Sequence, residues 1–152
     1  MRTTPFDLVW GQSVYAKVIA YNMYGDSDIS DAGNGAVIFT FADAPLDLAE
    51  DPSKRTASSI TVTWSEGANN GGSTVTDYRV SYDKALGVFE ELAAGVVANT
   101  YTATGLTYGL TYKFRVEAKN AFGYSEPSVP VAILCATHPE APNAPTTTVV
   151  ND

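Results

Sequence analysis

A single cysteine and a single histidine are the chain's candidates for nucleophilic chemistry. Cys135 and His138 stand three positions apart, and a thiol is activated when an imidazole base is held within hydrogen-bonding reach. However, Cys135 ends a predicted strand, and His138 lies in a proline-rich segment. We therefore expect a buried structural thiol beside a loop histidine. The sequence predicts no catalytic residue, no bound cofactor and no enzyme.

Three aspartates could supply a second kind of chemistry, the coordination of a hard cation. Asp26, Asp28 and Asp31 lie in the stretch GDSDISDAGNG at 25–35, and carboxylates are ligands that Ca²⁺ prefers. The spacing departs from an EF-hand loop, which would also need a glutamate where Val37 stands. Asp, Asn and Gly are common in turns for backbone reasons. We expect an acidic turn and no metal site, with these aspartates as a weak Ca²⁺ candidate.

Composition and charge narrow the classes of partner. The net charge is −8, with nine Lys and Arg among 152 residues. Nucleic acids and anionic membrane surfaces are bound through clustered positive charge, so neither is expected as a partner. No apolar run approaches the roughly 20 residues that a membrane-spanning helix needs. With one cysteine, no intrachain disulfide can form. The predicted partners are other protein domains.

Strands are the elements that must carry these residues. Tyr112, Phe114, Val116 and Ala118 alternate with charged residues, which is the period-two pattern of a half-buried strand. Similar runs, separated by turn sequences, predict strands near 46–50, 58–65, 75–83, 87–93, 98–104, 110–120 and 128–136. Seven short strands without helical periodicity indicate an all-β sandwich.

The chain contains an internal sequence repeat. With a shift of 98 positions, seven residues of twenty are identical, which is far above chance. The pairs are Leu8/Leu106, Gly11/Gly109, Val18/Val116, Ala20/Ala118, Asn22/Asn120, Gly25/Gly123 and Ser27/Ser125. A period near 100 residues is typical of tandem sandwich domains rather than of solenoid repeats.

Residues 41–138 resemble a fibronectin type III domain. The resemblance is carried by APLDL, by SITVTW with Trp64, by NNGGSTVTDYRVSYD, and by the block that runs from Leu106 to Ser125. It implies an immunoglobulin-like, seven-stranded sandwich in which the Tyr112 hydroxyl bonds to backbone a few residues upstream, the tyrosine corner. The expected core residues are Trp64, Tyr78, Val80, Leu106, Tyr112, Phe114, Val116 and Ala118. No Arg-Gly-Asp occurs, so integrin binding through that tripeptide is not implied.

Three regions follow from the repeat. We expect 1–40 to be the C-terminal half of one fibronectin type III domain and 41–138 to be a complete domain. Residues 139–152 are expected to form a proline-rich linker and the first strand of a following domain. The chain would then be a window on a tandem array.

The first copy departs from the pattern of the second. Val14 occupies the place of Tyr112, so either the corner is missing or a bulge lets Tyr15 fill it. In the straight register the outward face carries Tyr15, Ile19 and Tyr21. Large apolar residues on a sheet face suggest a covered surface. These three are candidates for an interdomain or intermolecular contact; a register shift or tolerated exposure is the alternative.

The predicted function is that of a non-catalytic spacer, adhesion or protein-binding module in a multidomain extracellular or cell-surface protein, including a fibre-forming one. Its partners would be other domains, neighbouring repeats or copies of itself. Two alternatives remain open. One is an intracellular scaffold repeat of the sarcomeric or axonemal type, and the other is an accessory domain on a secreted carbohydrate-active enzyme.

Overall fold

The computed structural model describes residues 9–137 and 141–146. We call residues 9–40 the first repeat and residues 41–137 the module. The first repeat contains β1 (Ser13–Val14), β2 (Tyr21–Asn22), β3 (Gly25–Asp26) and β4 (Ala36–Val37). The module contains β5 (Leu46–Glu50), a 3-10 turn (Pro52–Lys54), β6 (Ser59–Ser65), β7 (Asp77–Tyr82), β8 (Glu90–Val96), β9 (Thr100–Thr104), β10 (Thr111–Lys119) and β11 (Val131–Leu134).

The module consists of two antiparallel sheets. One has the strand order β5-β6-β9, and the other has the order β11-β10-β7-β8. Strand β10 is central, because it pairs with β11 on one side and with β7 on the other, where Val116 lies opposite Val80. The β6–β7 loop spans residues 66–76, and the β10–β11 loop spans residues 120–130.

The core lies between the two sheets and is supplied by alternating residues. Ile60 and Val62 of β6 face Val80, Phe114 and Val116 of the opposite sheet, and all five are fully buried. Each such side chain contributes about 1.5–3 kcal/mol through burial. The alternation that predicted β10 therefore places its apolar side chains in this core, with a Trp64–Tyr78 edge contact beside them at 5.3 Å between centroids.

Two strands begin three residues later than predicted, and the other strand ends lie within two residues of the prediction except that β8 ends at Val96 rather than at 93. Strand β8 begins at Glu90 rather than at 87, because Gly87 adopts a φ of +83° in the preceding turn. Strand β11 is limited to Val131–Leu134 rather than 128–136. Proline lacks the N–H that a sheet ladder needs, and Pro127 and Pro130 interrupt the chain just before β11.

The first repeat folds as a hairpin with the same hydrogen bonds as the β10–β11 hairpin. Serine hydroxyls replace missing ladder bonds at equivalent places, 98 positions apart. The pairs are Val18 N–Ser30 Oγ (2.9 Å) with Val116 N–Ser128 Oγ (3.0 Å), and Ala20 N–Ser27 Oγ (3.0 Å) with Ala118 N–Ser125 Oγ (3.0 Å). The repetition in sequence is thus also a repetition of backbone structure.

The second sheet of the sandwich faces only one of the two hairpins. Val116 is fully buried in the module, whereas Val18, its equivalent in the first repeat, is 66% exposed. Val14, which pairs with Ala36 as Tyr112 pairs with Ile133, is 39% exposed. Within the described residues, the inner face of the first repeat is open.

Candidate functional site

The joint between the first repeat and the module is built on backbone hydrogen bonds. Residues 38–43 link the two parts and run along the β6–β7 loop. Thr40 N–H donates to Gly71 O over 2.9 Å, and Asp43 N–H donates to Asn69 O over 2.8 Å. The Asp43 carboxylate also accepts from the backbone and side-chain N–H groups of Asn69, at 3.1 and 2.9 Å. The linker is therefore held against the loop at both ends.

Asn120 connects the linker with both loops through its side chain. This residue starts the β10–β11 loop and is 3% exposed. Its Nδ2 donates to Thr40 O and to Asn70 O, each over 2.8 Å. Its Oδ1 accepts from the N–H groups of Phe122 and Gly123 at 2.9 and 3.2 Å. All the hydrogen bonds that a primary amide can make are formed, so Asn120 fixes three segments at once.

Two glycines allow the β6–β7 loop to approach the first repeat. Gly72 has a φ of +85°, and a Cβ atom there would lie 2.5 Å from Gly11 N and 2.7 Å from Ile38 O. A Cβ on Gly71 would overlap the Thr40 carbonyl oxygen. These neighbours are backbone atoms, so no side-chain rotation can relieve the overlap. The close approach therefore requires residues without a Cβ.

An aromatic pair covers the other side of the joint. The rings of Phe41 and Phe122 meet edge to face, with 4.6 Å between centroids and an angle of 89°. Such pairs stabilise by about 0.5–1.5 kcal/mol beyond their burial. A Cβ on Gly123 would lie 2.9 Å from the Phe41 ring. The β10–β11 loop thus contributes both an apolar contact and the Asn120 amide to the joint.

The expected core residues lie in the interior of the module. Tyr112 is 5% exposed, and its hydroxyl oxygen accepts the Thr107 N–H over 2.9 Å, five residues upstream. This bond holds the turn before β10. The other exposed fractions are 5% for Trp64, 4% for Tyr78, 7% for Leu106 and 0% for Val80, Phe114, Val116 and Ala118.

Comparison with known proteins decides the family. Residues 43–133, more than half of the chain, match the family model of the fibronectin type III domain. The chain belongs to the fibronectin type III family. The family and the all-β sandwich predicted from the sequence are confirmed.

Relatives with quite different names share this domain. The chain is 38% identical over 96 residues to chitinase A1 of Niallia circulans, covering 60% of this chain and 13% of the chitinase. It is 35% identical over 103 residues to receptor-type tyrosine-protein phosphatase F of Bos taurus, covering 66% and 5%. Titin domains A168–A170 superpose with a TM-score of 0.64 at 26% identity, covering 82% of this chain and 41% of theirs. The chain thus spans a small part of the curated relatives that it matches.

The candidate interface of the first repeat is exposed. Tyr15, Ile19 and Tyr21 have exposed fractions of 61%, 51% and 85%. Tyr15 does not fill the tyrosine-corner place, because Val14 pairs with Ala36 in the straight register. Instead, the Tyr15 ring lies against the backbone, where a Cβ on Gly35 would come within 2.8 Å of it. The outward face of this fibronectin type III hairpin is uncovered within the described residues.

The structure does not bring the candidate metal-ligating and nucleophilic residues together within the described part of the chain. Asp26, Asp28 and Asp31 are all exposed. Within residues 9–137 and 141–146, no group of three or more His, Cys, Asp or Glu side chains is placed to hold a metal ion. Cys135 is fully buried, and its Sγ contacts Ala57 O at 3.5 Å. His138 lies outside the described residues.

The environment of Cys135 disfavours the thiolate form of its side chain. Burial raises the pKa of the Cys135 thiol, and the negative charge of Glu50 adds to the effect. Since the thiolate is the nucleophilic form, both effects act against reactivity.

The described part of the chain also contains no helix with the length and hydropathy that a membrane crossing requires.

A charged cluster on the outer face of the β10 sheet was missed by the sequence reasoning. Arg79 lies opposite Glu117 in the register, and its Nε and Nη2 donate to the two carboxylate oxygens at 2.9 and 2.6 Å. The guanidinium also lies 4.1 Å from the centroid of the Tyr124 ring. The hydrogen bond to Glu117 raises the pKa of Arg79. The available signal was a pair of opposite charges, Arg79 and Glu117, on two of the predicted strands.

Proposed function

We propose that this chain is a spacer and interaction segment of a longer protein, in which fibronectin type III modules follow one another in a fixed relative orientation. The observation that carries the proposal is the joint. Gly71 and Gly72 approach the backbone of Thr40, Gly11 and Ile38 closely. Asn120 donates one hydrogen bond to Thr40 O while its other three bonds hold the two module loops that meet the linker. A freely hinged linker would not need these contacts.

A non-catalytic role is supported by the family to which the module belongs. The module contacts backbone atoms of the first repeat at the joint. The first partner of the module is therefore a neighbouring repeat. Further partners would be other protein domains. The net charge of −8 favours partners with basic surfaces over nucleic acid.

Display at the cell surface is the favoured setting, as the name of the receptor-type phosphatase suggests for that relative. The titin superposition supports an intracellular scaffold as the second candidate, and the chitinase supports an accessory domain as the third. An antibody against residues 43–133 should stain intact cells. Staining that needs permeabilised cells would favour the scaffold, and binding of the chain to insoluble polysaccharide would favour the accessory role.

The spacer role is tested by the mobility of the joint. Backbone ¹⁵N relaxation of the full chain should give Thr40 and Asp43 order parameters near those of β10, about 0.85. Values below about 0.6 at both residues, which are typical of flexible backbone, would contradict a fixed joint. The phenyl resonances of Phe41 and Phe122 should show mutual ring-current shifts, because the rings meet edge to face.

A further inference from the structure

The far end of the module repeats the surface on which the joint is built. In the first repeat, Gly11 N–H donates to Ile38 O over 2.9 Å; at the end of the module, Gly109 N–H donates to Cys135 O over 2.8 Å. The two glycines have φ angles of +83° and +81°. The backbone that receives the β6–β7 loop at the joint is therefore present a second time.

Among the described residues, the first of these surfaces is occupied and the second is open. At the joint, Gly72 lies against Gly11; a Cβ on Gly109 would meet nothing within 4 Å. Trp10, just before Gly11, is half-buried, whereas Tyr108 at the equivalent place is 61% exposed. An aromatic side chain and a left-handed glycine are thus uncovered at the end of the module, as far as residues 9–137 and 141–146 are concerned.

The sequence that follows this surface places its threonine, acidic residue and proline at the same spacing as the linker of the joint does. Thr-His-Pro-Glu-Ala-Pro at 137–142 matches Thr-Phe-Ala-Asp-Ala-Pro at 40–45, with the offset of 97 that relates Cys135 to Ile38. A threonine and an acidic residue recur at the two places whose N–H groups bond to the β6–β7 loop. The proline falls at the place of Ala42, whose N–H donates to neither loop carbonyl. The linker sequence can therefore make the same two bonds.

We propose that the end of the module is a docking surface for the β6–β7 loop of a following fibronectin type III module. The surface consists of the exposed residues Tyr108, Gly109, Leu110 and Thr137, which lie beside the buried Cys135. Its partner loop carries the sequence Asn-Asn-Gly-Gly, as at 69–72. The second glycine then approaches Gly109 as Gly72 approaches Gly11, and the first approaches Thr137 as Gly71 approaches Thr40. This inference rests on the proposed spacer function and extends it to a second joint.

A tandem protein tests the docking surface directly. Residues 1–142 are followed by residues 46–152 of the same chain, so that Ala141-Pro142 takes the place of Ala44-Pro45. The protein then contains two complete modules and one new joint. In ¹⁵N relaxation measurements, both modules should fit one common rotational diffusion tensor. Two independent tensors for the unsubstituted tandem would overturn the proposal.

A matched pair of substitutions in the second module shows whether the glycine loop makes the joint. Gly72→Ala there should separate the two diffusion tensors and raise the exchange rate of the Thr137 N–H at least tenfold. Gly87→Ala, with nearly the same φ but open space around its Cβ, should change neither. A tandem that stays rigid with Gly72→Ala would overturn the assignment of the surface.

The two proposals fail in different ways. If Thr40 is ordered in the native chain but the tandem modules reorient independently, the second docking surface is wrong and the spacer function stands. If Thr40 is itself mobile in the native chain, the fixed joint is wrong, and the inference drawn from it falls as well.

Discussion

Replacing Gly72 with alanine should open the joint without unfolding the module. The new Cβ would lie 2.5 Å from Gly11 N, whereas ordinary van der Waals contact begins at 3.4 Å. The two backbones must therefore separate by about 0.9 Å, since overlapping atoms repel steeply. The Thr40 N–H···Gly71 O bond is 2.9 Å long. Stretched by the same amount, to about 3.8 Å, it would no longer be a hydrogen bond.

Gly87→Ala provides the matched control for backbone strain. Gly72 and Gly87 have φ angles of +85° and +83°, but a Cβ on Gly87 meets nothing within 4 Å. Both alanines carry the same left-handed strain, about 1–2 kcal/mol. Urea unfolding should therefore show similar losses in the free energy of unfolding for the two variants.

Amide hydrogen exchange separates the two variants. Exchange at the Thr40 N–H should be at least tenfold faster in Gly72→Ala, since losing about 1.4 kcal/mol of local stability is a factor of ten. It should be unchanged in Gly87→Ala. Equal Thr40 exchange in both variants would refute the close approach. A much larger loss of stability in Gly72→Ala would show that the contact belongs to the module's core.

Three further substitutions or probes test individual contacts. Asn120→Ala should lower the free energy of unfolding by about 2–3 kcal/mol in urea, because four hydrogen-bonded groups lose their partner; Asn22→Ala, its exposed equivalent, should cost about 0.5 kcal/mol or less, and equal losses would contradict the role of the joint. Tyr112→Phe should cost about 1 kcal/mol through the lost corner bond, whereas Tyr108→Phe, on an exposed ring, should be neutral; a neutral Tyr112→Phe would argue against the corner. Labelling of Cys135 by a thiol reagent at neutral pH should be slow in the native chain and accelerate with urea along the unfolding curve; fast labelling in native buffer would contradict its burial.

The sandwich could be predicted because its determinants are local in sequence. The alternation of Tyr112, Phe114 and Val116 with charged residues specifies which face of β10 is buried, whatever lies opposite. The turns needed no tertiary information either. The ends of β8 and β11 were less accurate, because strand ends depend on pairing with other strands and on where proline removes a ladder donor.

The joint could not be predicted because it depends on contacts that are distant in sequence. NNGGS at 69–73 reads as an ordinary turn, and nothing in it indicates that Gly72 touches Gly11. Asn120 was visible as part of a repeated motif, but its amide partners lie on two other segments. The open inner face of the first repeat is different: the expectation that 1–40 is half a domain already implied it, and the 66% exposure of Val18 agrees with it within the described residues.

The difference in protection between two equivalent amides tests the central claim, one complete module beside half of another. Val116 N–H and Val18 N–H bond to serine hydroxyls at 3.0 and 2.9 Å, so their local geometry is the same. Native-state hydrogen exchange at the Val116 N–H should be at least about a thousandfold slower than at the Val18 N–H, since a second sheet in the described part of the chain covers Val116 and not Val18. Equal protection of the two amides would contradict the account, because it would mean that the inner face of the first repeat is covered in solution.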